Sequence, residues 1–368
     1  SCDSDEHSKW FGMVDDQWKC LDESDNQRDV VNRDWYVHAL GAQTLVPVRF
    51  QPLEAMALDE EGRAVECKSK DISITEWIQM LKDPTTTSSD ANRTSIYLKD
   101  WHLQKQLQEQ HQQHPLYICP PIFEFDLLNS FLTRFTNGDY RFCYWGPRGS
   151  FTSRHSDVLH SFSWSYNVVG TKLWTFFRNT GTNQDVESNA KNDRLEVIQR
   201  TGQAMFVPSQ WQHEVVNLEE TISINHNWVT TANLDQCWEC LTTEMRDIDR
   251  ELRSWNIDND SQAQESMLRG CVGLDVTGFF LMSLVRLCDL LIGTTREQDG
   301  DNCRDKVTDS EREKDIVRLI SMIRVLRPDE KVKLQGRLES VLQSKDLAAD
   351  LVRAVESIID QTFPGDKY

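Results

Sequence analysis

From Tyr140 to Trp228 the pattern of apolar and polar positions changes to that of short strands. Phe162, Trp164, Tyr166 and Val168 interleave with Ser161, Ser163, Ser165 and Asn167, which predicts a strand with two unlike faces. After a turn at Gly170, Lys172, Trp174 and Phe176 share one face of a second strand. Asn179–Asp193 reads as a polar loop, and Ala204–Val207, Trp211–Val216 and Thr221–Trp228 read as three further strands. Short strands at this spacing, with turn residues between them, predict a sandwich or barrel.

The flanks read differently. Residues 1–34 are acidic, with Trp10, Phe11 and Trp18 as their few large apolar anchors, and predict an irregular lead-in. Residues 35–139 form an α/β part expected to pack on the barrel. It contains strands at Thr44–Phe50 and Ser95–Leu98, a Thr/Ser-rich loop at Pro84–Asn92, and two helices. Ser73 with Glu76 makes a capping box that opens the helix Ile74–Leu81. Asp126 opens an amphipathic helix that runs to Phe135 and stops at Asn137-Gly138. Residues 140–230 are the barrel. Residues 231–368 carry helical spacing at Leu234–Trp255, Val272–Ile292, Ile316–Leu326 and Leu338–Ile359, with a charged linker at Gly293–Arg312. The fold class predicted is therefore α+β.

Composition narrows the function classes. The 368 residues include 12 Trp, 15 Phe and 7 Tyr, enough for a sizeable core. No segment reaches the roughly 18 uninterrupted apolar residues of a membrane span. The stretch Phe279–Ile292 is broken by Ser283, Arg286 and Asp289 and reads as a buried helix. Its stripe of Phe279, Phe280, Leu284, Leu287 and Leu291 predicts burial against the chain's own core or in a homodimer. The 40 Lys and Arg against 59 Asp and Glu give a formal charge of -19, opposite to that of a phosphate-tracking nucleic-acid binder. That balance suits a basic protein partner. The ten cysteines read as free thiols, several of them in apolar stretches. Cys237 and Cys240 lack a second pair and lie in a helical pattern, so zinc is not expected there. No signal-type apolar segment opens the sequence, and cytosol or nucleus is the expected compartment.

The candidate chemistry lies in the barrel. His155 and Asp157 are two apart and project from one face of an extended chain, and His213 enters a strand that can face them. Two histidines and a carboxylate leave positions open on an octahedral metal, which suits non-haem Fe(II). A surface His-Asp pair and a half-buried histidine would give the same spacing. Lys172, beside Trp174 and Phe176, needs an anion, since an unpaired buried ammonium is costly. A protein carboxylate, solvent reached by snorkelling, or a dicarboxylate cosubstrate would each serve. Thr221, Ser223, Asn225 and Asn227 share one strand face, opposite Ile222, Ile224, His226 and Trp228. That polar row lines a hydrophilic pocket or faces solvent.

Three ordered segments resemble the JmjC class of Fe(II)- and 2-oxoglutarate-dependent oxygenases. They are Tyr140–Asp157, Ser161–Trp174, and Met205–His213 with Asn217–Trp228. The resemblance implies a double-stranded β-helix, a cupin-like jelly roll, with helical N-terminal elements and a helical C-terminal subdomain. It implies Fe(II), 2-oxoglutarate and O2, with His155, Asp157 and His213 as the catalytic iron ligands. Lys172 would pair with the distal carboxylate of 2-oxoglutarate, helped by the Thr152 hydroxyl and the Tyr97 phenol. Asn227 would lie beside the cosubstrate or metal. Ser165 stands where some relatives place a cosubstrate-facing Asn, with Asn167 two residues on and on the same face. Trp211 and Trp228 are expected to pack in barrel walls, and His226, on the opposite strand face, is not expected to be a ligand. The runs Ser95–Leu103 and Ile222–Val229 narrow the likeness to a lysyl-hydroxylase branch. Its substrate is a lysine of the eukaryotic peptide-chain release factor, hydroxylated at carbon 4. Alternatives are another JmjC reaction, on a different residue or as a histone lysine demethylase, and a catalytically silent interaction module.

Overall fold

The computed structural model describes residues 18–22, 29–52, 68–83, 94–109, 116–123, 125–136, 138–177, 194–257, 261–296, 309–323 and 325. The loops expected at Pro84–Asn92 and Asn179–Asp193 and the helix expected at Leu338–Ile359 lie outside them. The described residues fall into two compact units, one within 1–124, 140–157 and 162–227, the other within 125–139, 158–161 and 228–368.

The first unit holds strands β1 (Lys19–Leu21), β2 (Asp29–Val31), β3 (Leu45–Pro52), β4 (Lys68–Ser73), β5 (Thr94–Trp101), β6 (Arg141–Gly146), β7 (Phe151–His155), β8 (Phe162–Val169), β9 (Lys172–Phe177), β10 (Arg194–Gln199), β11 (Ala204–Val207), β12 (Gln212–Asn217) and β13 (Thr221–Trp228). Its helices are α1 (Arg33–Leu40), α2 (Ile74–Lys82) and α3 (Leu103–Glu109). Seven strands hydrogen-bond in the order β11-β8-β13-β6-β5-β3-β4 and four in the order β10-β9-β12-β7. Trp174, Phe176 and Val215 of the four-stranded sheet pack with Val207 of the seven-stranded one, which gives the expected jelly roll its shared core.

The strands upstream of the barrel do more than pack on it. β5 pairs antiparallel with β6, so β3, β4 and β5 extend the barrel's larger sheet. The lead-in, expected to be irregular, contains an antiparallel ladder of β1 with β2, held by Lys19 on Asp29 at 2.7 Å. Trp18, Tyr36, Trp77, Trp101 and Trp145 form a buried aromatic cluster, in which the Tyr36 ring lies 4.9 Å from Trp145. The capping box on α2 forms as read, with Glu76 N–H donating to Ser73 Oγ and Ser73 N–H to the Glu76 carboxylate.

The second unit is helical, with α4 (Leu127–Phe135), α5 (Leu234–Ser254), α6 (Ser261–Val272), α7 (Val276–Arg296) and α8 (Asp309–Ile323). Asp126 caps α4 by accepting from Asn129 N–H, and Arg134 on the same helix pairs with Asp289 of α7 at 2.8 Å. The single helix expected from Val272 begins instead at Val276. Gly273 takes a left-handed φ of 81° and ends α6, while Asp275 accepts from Gly278 N–H at 2.6 Å and opens α7. α7 also runs past Gly293 to Arg296, and α8 begins at Asp309, both inside the expected linker. Phe279, Phe280, Leu284 and Leu287 are buried in this unit's own core, with Trp238 5.6 Å from Phe279 and 5.2 Å from Phe280. No single helix among the described residues is long and apolar enough to cross a membrane.

Gly170, in the turn between β8 and β9, has φ 94°, and a Cβ there would lie 2.4 Å from the Glu220 carbonyl oxygen and 2.7 Å from Thr221 Cα. Gly170→Ala is expected to destabilise the barrel by at least about 1–3 kcal/mol from the backbone alone. A urea denaturation midpoint checks this, and an unchanged midpoint contradicts it.

Candidate active site

β7 and β12 run antiparallel with His155 opposite His213, and their register shifts just beyond, between His213 and Val215. The two imidazole centroids are 4.3 Å apart. Asp157 follows β7 by two residues, and one ligand atom from each of the three groups lies within 4.8 Å of the others. Each histidine places Nδ1 against a backbone carbonyl two residues earlier, Ser153 at 2.8 Å for His155 and Trp211 at 3.1 Å for His213. With Nδ1–H donating there, Nε2 of each ring keeps its lone pair for a metal. Ser163 Oγ donates to Asp157 Oδ2 at 2.7 Å and fixes the carboxylate. Burial, with His213 alongside, lowers the His155 pKa and favours the neutral, ligating form. The donor set and its outer hydrogen bonds fit a divalent metal with open positions.

Lys172 is 1% exposed at the start of β9. Its Nζ donates to Ser223 Oγ at 2.6 Å, and Asn225 Nδ2 donates to the same oxygen at 2.9 Å. The Tyr144 ring centroid lies 5.9 Å from Nζ. No described carboxylate forms an ion pair with it. Burial pushes its pKa down to about 7. An ammonium held this way fits one carboxylate of a bound dianion, which would supply the missing countercharge.

The predicted residues meet in one pocket: Tyr97, Thr152, Lys172 and Asn227 line it with His155, Asp157 and His213. Tyr97 is buried, its hydroxyl hydrogen-bonded by Asn217 and its pKa raised by burial. Thr152 is buried opposite Val215. Asn227 is half-buried, and its backbone N–H donates to the Tyr140 carbonyl at 3.0 Å. The polar row on β13 thus serves a pocket rather than a solvated face: Asn225 and Asn227 line it, and the fully buried Ser223 accepts the Lys172 hydrogen bond.

Other readings change. Ser165 lines the pocket with a buried hydroxyl that has no partner, whereas Asn167 does not line it. Asn167 Nδ2 donates instead to the carbonyls of Gly170 and Gln199, at 3.3 and 3.1 Å. Trp211, expected in a barrel wall, is 40% exposed and meets Phe176 edge-on. His226 stays out of the metal cluster, as read, and is buried 4.2 Å from the Trp164 ring with the Tyr117 hydroxyl on Nε2. Cys237 and Cys240 are buried free thiols, and burial raises the pKa of each. Sequence reasoning missed Ser163, Tyr144 and Lys99, all of which line the pocket. The signal for Ser163 was available, since it alternates onto the same strand face as Ser165.

A jelly roll that carries two carbonyl-oriented histidines, a carboxylate and a buried lysine has the architecture of the JmjC oxygenases, which use Fe(II) and 2-oxoglutarate. The family model described as "JmjC domain, hydroxylase" matches residues 179–228. The "2-oxoglutarate and iron-dependent oxygenase JMJD4" of Danio rerio is 31% identical over 317 residues, covering 77% of this chain and 74% of that one. The Homo sapiens protein of the same name is 34% identical over 258 residues, 62% of this chain and 60% of its own. The "Arginine-specific demethylase JMJ20" of Arabidopsis thaliana is 32% identical over 251 residues, 58% of this chain and 53% of its own. This chain belongs to the JMJD4 family of 2-oxoglutarate and iron-dependent oxygenases. It is a dioxygenase whose cofactors are Fe(II) and 2-oxoglutarate, with O2 as co-reactant.

Asp157→Ala is expected to weaken Mn(II) binding by more than about 100-fold, beyond the effect of an outer-shell change. Titration calorimetry on the metal-stripped protein reads it, and native affinity in the variant contradicts the cluster as a metal site.

Proposed function

We propose that the protein is a lysyl hydroxylase that adds oxygen at carbon 4 of a lysine in the eukaryotic peptide-chain release factor, and that it works in the cytosol. The resemblance of Ser95–Leu103 and Ile222–Val229 to the lysyl-hydroxylase branch carries this reading. The formal charge of -19 supports a basic target segment, and turnover is expected to weaken as salt rises.

In this reading His155, Asp157 and His213 would hold Fe(II). Lys172 takes the distal carboxylate of 2-oxoglutarate, with the Thr152 and Tyr97 hydroxyls beside it and Asn227 at the cosubstrate or metal. The bound iron and cosubstrate supply the oxidising chemistry, in which 2-oxoglutarate and O2 become succinate and CO2 and one oxygen atom enters a C–H bond. The chain's own part is placement. Its carbonyl-fixed imidazoles and Ser163-fixed carboxylate preset the ligand geometry, and Lys172 orients the cosubstrate before the substrate side chain enters. Trp164 and Trp174 in the pocket wall help exclude water.

A second reading is supported by the plant relative, whose name describes arginine-specific demethylation. Product mass separates the two. Intact-mass analysis of release factor incubated with enzyme, Fe(II) and 2-oxoglutarate is expected to show the gain of one oxygen on a lysine, lost with His155→Ala. Turnover of 2-oxoglutarate with no such gain, and loss of methyl groups from methylated arginine peptides, would favour the second reading.

The cosubstrate role of Lys172 predicts a pH signature. Above pH 7 the free lysine is largely neutral and must take up a proton to meet the dianion. Affinity for 2-oxoglutarate therefore falls as pH rises from 7 to 9, by up to about tenfold per unit. Titration of Mn(II)-loaded protein at pH 8, in buffers of different ionisation heat, is expected to show about one proton taken up per ligand. Affinity and heat independent of pH and buffer would contradict it.

A further inference from the structure

Gln199 ends β10 and is 1% exposed. It does not line the pocket, yet both of its side-chain polar atoms are engaged. Nε2 donates to the Ser165 carbonyl at 2.8 Å and to the Gln203 carbonyl at 2.9 Å, and Oε1 accepts from the Trp174 indole N–H at 2.8 Å. Its own carbonyl is held by Asn167 Nδ2 at 3.1 Å. Simple filling of space does not call for such a group, because an apolar side chain of similar volume would fill the space without desolvating an amide.

The indole held by Gln199 stacks on a metal ligand. Trp174 lies opposite Val215 in the β9–β12 ladder, and its ring sits 5.5 Å from the His213 imidazole with the planes 29° apart. Phe176 meets the same imidazole at 6.0 Å. Packing alone leaves an indole free to present either edge, since its outer torsion has two broad settings, whereas a bond at Nε1 selects one. The other arm of Gln199 reaches the backbone of Ser165, a pocket residue on the seven-stranded sheet.

We propose that Gln199 is a positioning residue of the metal centre: through the Trp174 indole it sets the plane of the His213 imidazole, and through the Ser165 carbonyl it ties that setting to the cosubstrate pocket. The proposal rests on His213 being an iron ligand. Gln199→Met keeps the volume and removes both the indole's acceptor and the donor to Ser165. Trp174→Phe removes the indole N–H and leaves a smaller aromatic ring against His213.

The test is Co(II) binding to the full chain, by calorimetry and by ligand-field absorption, well below the melting temperature of each variant. Gln199→Met is expected to weaken Co(II) binding about tenfold and to shift the ligand-field bands, the size of an outer-shell defect. Trp174→Phe is expected to act in the same direction, and adding Gln199→Met to it to change Co(II) affinity little further. Native affinity and spectrum in Gln199→Met, whatever its melting temperature, would overturn the proposal. Should that variant not fold, native binding in Trp174→Phe would overturn it instead. His213→Ala separates the premise: native Co(II) binding there would defeat the ligand reading itself, and the proposal with it.

Discussion

A single buried ammonium constrains this site more than any other group. Lys172 is enclosed by the barrel with hydroxyl and aromatic neighbours and no described carboxylate as an ion-pair partner. Such a group is costly in the empty pocket and is relieved when an anion enters. That asymmetry selects a ligand with a carboxylate at one end. β9 also carries Trp174 and Phe176, and it pairs with β12, which bears His213. The anion site and the metal cluster are thus held on neighbouring strands of one sheet.

The metal cluster depends on backbone more than on side-chain packing. β7 and β12 bring distant segments of chain into register, so that His155 faces His213. The Nδ1 atom of each ring is held by a carbonyl of its own chain, two residues back. The tautomer follows from this, and so does the nitrogen left for the metal. Ser163, Ser165 and Asn225 add polar lining from the other sheet.

Period-two alternation placed β8 and β13 within a residue or two, because their faces differ in polarity. The spacing of His155 and Asp157, with His213, left a metal cluster and a surface pair both open, and the resemblance of the three ordered segments pointed to the cluster. The break between α6 and α7 was hidden because Leu274 and Val276 continue an apolar run across Gly273 and Asp275. Gln199 was hidden for another reason. Its role comes from partners on other strands, and it lies in no spacing pattern that a single segment reveals. The same holds for Asn167, which shares a strand with Ser165 but turns its amide to Gly170 and Gln199.

The central claim is that the His155–Asp157–His213 cluster would hold the metal and Lys172 would hold one carboxylate of the 2-oxoglutarate in the same pocket. Anaerobic titration of Fe(II)-loaded protein with 2-oxoglutarate, followed by visible absorption, tests it directly. The account predicts a metal-to-ligand charge-transfer band that saturates at one equivalent and needs far more 2-oxoglutarate in Lys172→Ala. Iron bound with no such band, or a Lys172→Ala titration that overlays the native one, would contradict it.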